Sequence, residues 1–192
     1  MISTLSKKHS FDLVFDTQRV FRLILEAMSN PTRIVNIRQC ASSLFGDQPT
    51  FLALAITLLD NEVSFNTCEN HALTAEIESL TLTKKAGLEY ADYVFVSNPN
   101  KIKDVIERIN CGTLADPHKS ATLIIRNDGE PGCLLKLSGP GIDGQAEVRV
   151  SKTVSETLQL RDEQNYEYPQ GIDIIFVSSS GDLLAIPRLV AC

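Results

Sequence analysis

The sequence predicts an α/β protein with a mixed sheet flanked by helices. Three observations lead there. Apolar residues recur at helical spacing early in the chain; short β-branched and aromatic runs alternate with helical patterns as far as residue 110; beyond it, strand-like runs follow one another with turn residues between them. A chain of 192 residues can bury a substantial core, and no linker or low-complexity stretch divides it, so residues 1–192 are read as a single domain.

In "DTQRVFRLILEAMS", residues 16–29, Val20, Phe21, Ile24, Leu25 and Met28 share one helical face, with Arg19, Arg22 and Glu26 opposite. Asp16 or Thr17 can cap this helix, and Asn30-Pro31 stops it. "TFLALAITLLD", apolar nearly all round, predicts a buried helix ending near Asp60-Asn61. "EVSFN" reads as a short strand, and "ALTAEIESLTLTKKAG" as a helix closed by Gly87. "YADYVFVSN" has the density of a buried strand, and "NKIKDVIERIN" follows with Ile102, Val105, Ile106 and Ile109 in helical register.

From residue 111 the pattern changes. "ATLIIRN", "CLLKLSG" and "AEVRV" predict a three-stranded meander with turns at Asn127-Asp128-Gly129, Pro131-Gly132 and Ser138 to Gly144. A helix over 153–164 then leads to "YPQGIDIIFVSSSGDLLAIPR", two strands joined by a Ser-rich turn containing Gly181. The Gly-Ile-Asp repeat at 141–143 and 171–173 has unrelated flanks and marks no duplication.

The turn after "LLKLS" has the letters of a dinucleotide fingerprint, with glycines at 139, 141 and 144. A fingerprint opens a helix, whereas this loop leads to another strand, so the context favours a turn over a phosphate cradle. Elsewhere there is no G-x-S-x-G, H-E-x-x-H, P-loop or kinase signature, and no residue is assigned a catalytic role. Five irregularly spaced cysteines without a C-x-x-C, and three histidines without H-x-x-x-H, indicate neither a disulfide framework nor a metal site. A net charge of −6 with dispersed basic residues speaks against nucleic acid as partner. The N-terminal "MISTLSKKHSFDLVFD" has no apolar core of a leader and no run is long enough for a membrane span, which predicts a soluble, cytoplasmic protein.

Three residues remain as tentative ligand- or partner-binding positions. Lys119, in "DPHKS", can neutralise a phosphate beside His118, against the simpler reading of a polar turn begun by Asp116-Pro117. Asp173 opens an apolar strand, where a carboxylate needs a cation or backbone donors, and Arg188 follows the next strand as its candidate partner. A structural pair and a binding pair both fit. Arg19, Arg22 and Arg33 read as an anion clamp or, more simply, as a solvated face with Arg22 paired to Glu26.

Taken together, "FDTQRVFRLILEAMSNP", "GTLADPHKSATLII", "LKLSGPGI" and "YPQGIDIIFVSSSGDLLAIPR" resemble, in order and over nearly the whole chain, the H subunit of the bacterial carbon–phosphorus lyase core complex, the PhnH family. One departure is Pro31-Thr32 where the family typically has Pro-Gly, which puts the turn there in doubt as a family feature.

The resemblance implies a fold similar to that of pyridoxal-phosphate-dependent transferases without the cofactor site, and no cofactor. It also implies machinery that joins an alkylphosphonate and a nucleoside triphosphate into a ribose 1-phosphonate 5-triphosphate, before a partner with an iron–sulfur cluster cleaves the carbon–phosphorus bond. This chain's expected share is assembly or the shaping of a shared site, with the sister subunits as partners, a homodimer in isolation, and no catalysis alone. The competing readings are a stand-alone enzyme acting on a phosphorylated small molecule, using the 138–144 loop, Lys119 and Arg188, and a binding module for a phosphonate or nucleotide.

Overall fold

A computed structural model describes residues 9–192. The leader reading falls partly on residues 1–8, outside the described residues. Among the described residues no helix is long and apolar enough to cross a membrane.

A seven-stranded mixed sheet forms the middle layer. In chain order its strands are β1 (Val35–Asn36), β2 (Ser64–Asn66), β3 (Lys84–Lys85), β4 (Tyr93–Val96), β5 (Thr122–Arg126), β8 (Asp173–Val177) and β9 (Asp182–Ile186), and across the sheet the order is β1-β9-β8-β5-β4-β2-β3. The run from β3 through β8 is parallel; β9 is antiparallel to both β8 and β1. Two further strands, β6 (Cys133–Leu137) and β7 (Ala146–Val150), form a separate antiparallel pair.

The central strands are apolar on both faces because both faces are covered. On one side α1 (Phe15–Ser29), α2 (Arg38–Ala41), α3 (Pro49–Leu58) and α4 (His71–Leu80) pack on Phe65, Phe95, Ile124, Ile175 and Val177. On the other, α5 (Ile102–Arg108), α6 (Lys152–Asp162) and the β6–β7 pair cover Val94, Val96, Leu123, Ile125, Ile174 and Phe176. Ile102, Val105, Ile106 and Ile109 are all buried, as their spacing predicts.

Several expectations are corrected. The three-strand meander does not form: β5 joins the main sheet between β4 and β8, and only β6 and β7 pair with each other. The reason lies in burial. Leu123, Ile124 and Ile125 are consecutive and all inaccessible, which only a strand covered on both faces satisfies, while β6 and β7 alternate in exposure as a half-covered pair does. The helix predicted to reach Gly87 stops at Leu80. Thr81 is extended, Thr83 Oγ1 donates to the Asp60 carbonyl at 2.7 Å, and Lys84-Lys85 become an edge strand beside β2.

The start of α1 is held by Asp12 together with Asp16, and not by Thr17. Asp12 Oδ1 accepts from Val14 N at 2.8 Å and Phe15 N at 2.9 Å, while Asp16 Oδ2 accepts from Asp12 N at 3.0 Å, so the two carboxylates satisfy the first turn reciprocally. Hydrogen bonds from Phe15 and Val14 hold the Asp12 carboxyl below the usual aspartate range. The buried face of α1 also differs from expectation: Val20, Ile24 and Ala27 point inward, leaving Phe21 and Leu25 45% and 48% exposed.

The glycine loop between β6 and β7 packs against protein backbone. Gly141 has φ +84°, and a Cβ there would lie 2.8 Å from the Ser29 carbonyl oxygen; at Gly139, φ +130°, it would lie 2.6 Å from that of Leu189. Ser138 and Ala191 exchange backbone hydrogen bonds beside it at 3.0 and 2.9 Å. The loop therefore joins the β6–β7 pair to the end of α1 and to the C-terminal segment. Gly141→Ala is expected to lower stability by on the order of 1 kcal/mol or more, equally with and without added nucleotide or phosphonate. A thermal-shift comparison checks this; loss of ligand-dependent stabilisation at an unchanged melting temperature would instead identify a cradle.

Candidate functional site

In open α/β sheets, ligands bind outside the carboxyl ends of the parallel strands. At those ends of β5 and β8 lies an open cleft of about 280 Å³, walled by Asn127 and Asp128 after β5, Ser178 to Ser180 after β8, and Ser151 at the start of α6. Arg149 and Glu130 stand among its other lining residues. The sequence reading took these stretches only as turns, because their meeting depends on β5 and β8 being parallel neighbours.

The cleft is built on a hydrogen-bonded network. Asp128 Oδ1 accepts from Ser179 N and Oγ at 2.6 and 2.7 Å, and its Oδ2 pairs with Arg126 Nε at 2.6 Å. Ser151 Oγ donates to Asn127 Oδ1 at 2.5 Å and accepts from Val154 N at 3.3 Å, so the cap of α6 is tied to the end of β5. Asp182 accepts from Ser180 Oγ at 2.9 Å and from Asn36 Nδ2 at 2.7 Å. These carboxylates are thus engaged within the protein. Such an arrangement commits these two carboxylates to fixing the shape of the cleft.

Burial works to raise the Asp128 carboxyl, but the hydrogen bonds from Ser179 and the Arg126 guanidinium overcome it and hold the group below the ordinary aspartate value of 3.8. A depressed carboxyl contributes stability that is present above its unfolded value and lost as pH falls through the folded one. Asp128→Asn should therefore melt below wild type at pH 7, with the gap closing as pH drops below 3.8. Melting curves at the two pH values test this; a gap that persists in acid would contradict it.

A second polar cluster lies at the carboxyl ends of β2 and β4. Between β2 and α4, Cys68 and Glu69 both have left-handed backbone, φ +51° and +67°, a conformation uncommon for side chains with a Cβ. Asn66 Oδ1 accepts from Cys68 N at 2.8 Å, Lys101 Nζ donates to the Cys68 carbonyl at 3.1 Å, and Lys101 pairs with Glu69. Burial pushes the Cys68 thiol up to about 11, so it is no thiolate nucleophile at neutral pH. The five cysteines are free thiols, and no group of three His, Cys, Asp or Glu among the described residues is placed to hold a metal.

The three residues singled out from sequence lie at the opposite, amino end of the parallel strands. Arg188 Nη2 meets Asp173 Oδ2 at 2.5 Å and its Nε meets the same oxygen at 3.2 Å, while Arg188 N donates to Asp173 Oδ1 at 2.8 Å. Arg188 Nη1 reaches the Pro117 carbonyl at 2.5 Å. The pair thereby clamps the short 3₁₀ turn Pro117–Lys119 to the ends of β8 and β9. Lys119 belongs to that turn and extends into solvent, its side chain 63% exposed and paired with Asp116 at 2.9 Å. Of the three arginines considered as a clamp, Arg33 takes Glu26 at 2.8 Å, in place of the expected Arg22–Glu26 pair.

The most deeply buried charge was not singled out from sequence. Arg161, with a side chain 3% exposed, bonds Asp162 Oδ1 from Nε and Nη2 at 3.0 and 2.9 Å, and reaches the carbonyls of Pro187 at 3.3 Å and Val190 at 2.5 Å. It fastens α6 to the C-terminal segment. A basic residue near a helix C-terminus is the only signal the sequence offers, and it does not separate a surface arginine from this one.

Two comparisons bear on the chain as a whole. Residues 9–192 match the family described as bacterial phosphonate metabolism protein (PhnH). A protein of Stutzerimonas stutzeri, named "Putative C-P lyase subunit protein HtxG", is 30% identical over 173 residues, covering 89% of this chain and 83% of the relative.

Proposed function

The chain belongs to the PhnH family of bacterial phosphonate metabolism proteins, and from that premise we propose that it is a subunit of the carbon–phosphorus lyase complex, contributing assembly and part of a shared site. The observation that carries this is the extent of the match, which spans residues 9–192 and therefore the layers on both sides of the sheet. In this reading the protein is cytoplasmic, works as one domain, and belongs to a transferase assembly in which the sister subunits perform the chemistry. Its fold is similar to that of pyridoxal-phosphate-dependent transferases.

The engaged carboxylates around Asp128 and Asp182 suit a cleft that shapes a site more than one that transfers protons. Lys119 meets a ligand or partner from its exposed turn, while Asp173 and Arg188 hold that turn in place. In isolation the chain forms a homodimer, since exposed apolar side chains such as Leu82, Tyr90 and Tyr168, at 82%, 78% and 76% exposure, favour covering.

Co-expression with the other core subunits, one of them tagged, tests the proposal. The chain should co-purify in fixed stoichiometry, and its failure to do so under conditions where the remaining subunits assemble would overturn the reading. Sedimentation of the chain alone should give a dimer; a monomer at micromolar concentration contradicts the self-association.

A further inference from the structure

We infer that the open hollow of about 290 Å³ at the C-terminal end of α6 takes the ring of an uncharged, oxo-bearing nucleobase. Arg161 and Asp162 of α6, Tyr166, Tyr168 and Gln170 on the way to β8, and Arg188 after β9 line it, at the end of the parallel strands opposite the Asp128 cleft. The inference stands on these residues alone and not on the subunit reading. The volume lies near the lower end of the roughly 300–1,000 Å³ that small-ligand sites span, so it suits a ring system more than a whole nucleotide.

Both arginines are held rigidly and keep donors in reserve. Arg161 engages Asp162 and the Pro187 and Val190 carbonyls, and Arg188 engages Asp173 and the Pro117 carbonyl. A guanidinium carries five N–H donors. One on Arg161 Nη1, and one on each of Arg188 Nη1 and Nη2, are left without an acceptor among the described residues. Gln170 commits its Nε2 to the Gly112 carbonyl at 3.0 Å, which leaves its Oε1 to accept. The half-buried Tyr166 hydroxyl also has no partner among the described residues, and burial pushes it up to about 12, so it stays a donor. A tyrosine tip enclosed in this way ordinarily has a partner. Donors thus outnumber acceptors, which matches the oxo oxygen and ring nitrogen that an oxopurine presents beside a single N–H.

Charge and aromatic surface select the class. Asp162 and Asp173 offset the two guanidinium charges within the ion pairs, and the C-terminal end of a helix carries partial negative charge, so a free anion gains little here. Tyr168 is 76% exposed, and its ring contacts no other aromatic ring among the described residues. Stacking of a base on such a face needs no charge.

Calorimetric titration of the full chain with inosine, and separately with inorganic phosphate, tests the inference. Inosine should bind saturably with a dissociation constant of about 1 mM or tighter, and phosphate should not bind in that range. Tyr168→Ala should weaken inosine about tenfold and Tyr166→Phe about fivefold, with both variants melting near wild type. Tyr90→Ala, at a comparably exposed tyrosine away from the hollow, should leave the affinity unchanged. No inosine binding at up to about 10 mM, phosphate binding in its place, or full inosine affinity in Tyr168→Ala would each overturn the site. If Tyr168→Ala dissociates a dimer while inosine affinity holds, the ring belongs to a contact between copies and the proposal fails. None of these outcomes touches the subunit reading, which the co-purification decides.

Discussion

Replacing Asp173 with alanine is expected to lower stability by about 3–5 kcal/mol, the range for removing one partner of a buried ion pair. Asp173 and Arg188 are 15% and 21% exposed, and the carboxylate accepts both the guanidinium and the Arg188 backbone N–H. Alanine strands the arginine in a poorly hydrated position and frees the turn at Pro117–Lys119, which Arg188 holds through the Pro117 carbonyl. Asp173→Asn should cost less, because an amide oxygen still accepts from Arg188 N. Denaturant titrations of the two variants provide the check. Equal losses would mean that the retained acceptor contributes nothing without the charge, and a loss below about 1 kcal/mol for alanine would contradict the clamp.

Arg161→Met is expected to cost about 1–3 kcal/mol, because it leaves the Val190 carbonyl without its buried donor while filling most of the arginine's volume; the Pro187 carbonyl keeps the Val190 N–H at 3.0 Å. Asp162 keeps a way out to water, with its side chain 37% exposed, so the loss comes mainly from the Val190 carbonyl. Hydrogen exchange offers a second reading. The C-terminal residues after β9 should lose protection before the central strands do, since Arg161 ties them to α6. Uniform loss across the sheet would argue against a local fastening.

These two residues show how far the sequence could be read. Asp173 was legible because a carboxylate at the head of "IDIIFV" has an evident need, and Arg188 was the nearest cation across the hairpin. Arg161 was not, because its burial depends on the C-terminal segment crossing α6. The helix that follows residue 100 was legible from spacing, and Ile102, Val105, Ile106 and Ile109 are buried as that spacing requires.

Misreadings arose where partner choice mattered more than local pattern. In α1 the small Ala27 completes the buried seam with Val20 and Ile24, so the larger Phe21 and Leu25, read as core, face solvent. The meander expectation treated adjacency in sequence as adjacency in the sheet. The run of Leu123, Ile124 and Ile125 already differed from the alternation in "CLLKL", and that contrast separates a strand covered on both faces from one covered on a single face. The cleft at Asn127, Asp128 and Ser178 to Ser180 followed the same fate. Its residues are turn formers by type and become a site only when β5 and β8 lie side by side and parallel.

The most direct measurement follows conversion of methylphosphonate and a nucleoside triphosphate to a ribose 1-phosphonate 5-triphosphate by three preparations: the co-expressed core subunits with this chain, the same subunits without it, and this chain alone. A subunit that assembles and shapes a shared site gives product only in the first. Undiminished product without the chain, or product from the chain alone, would contradict that account.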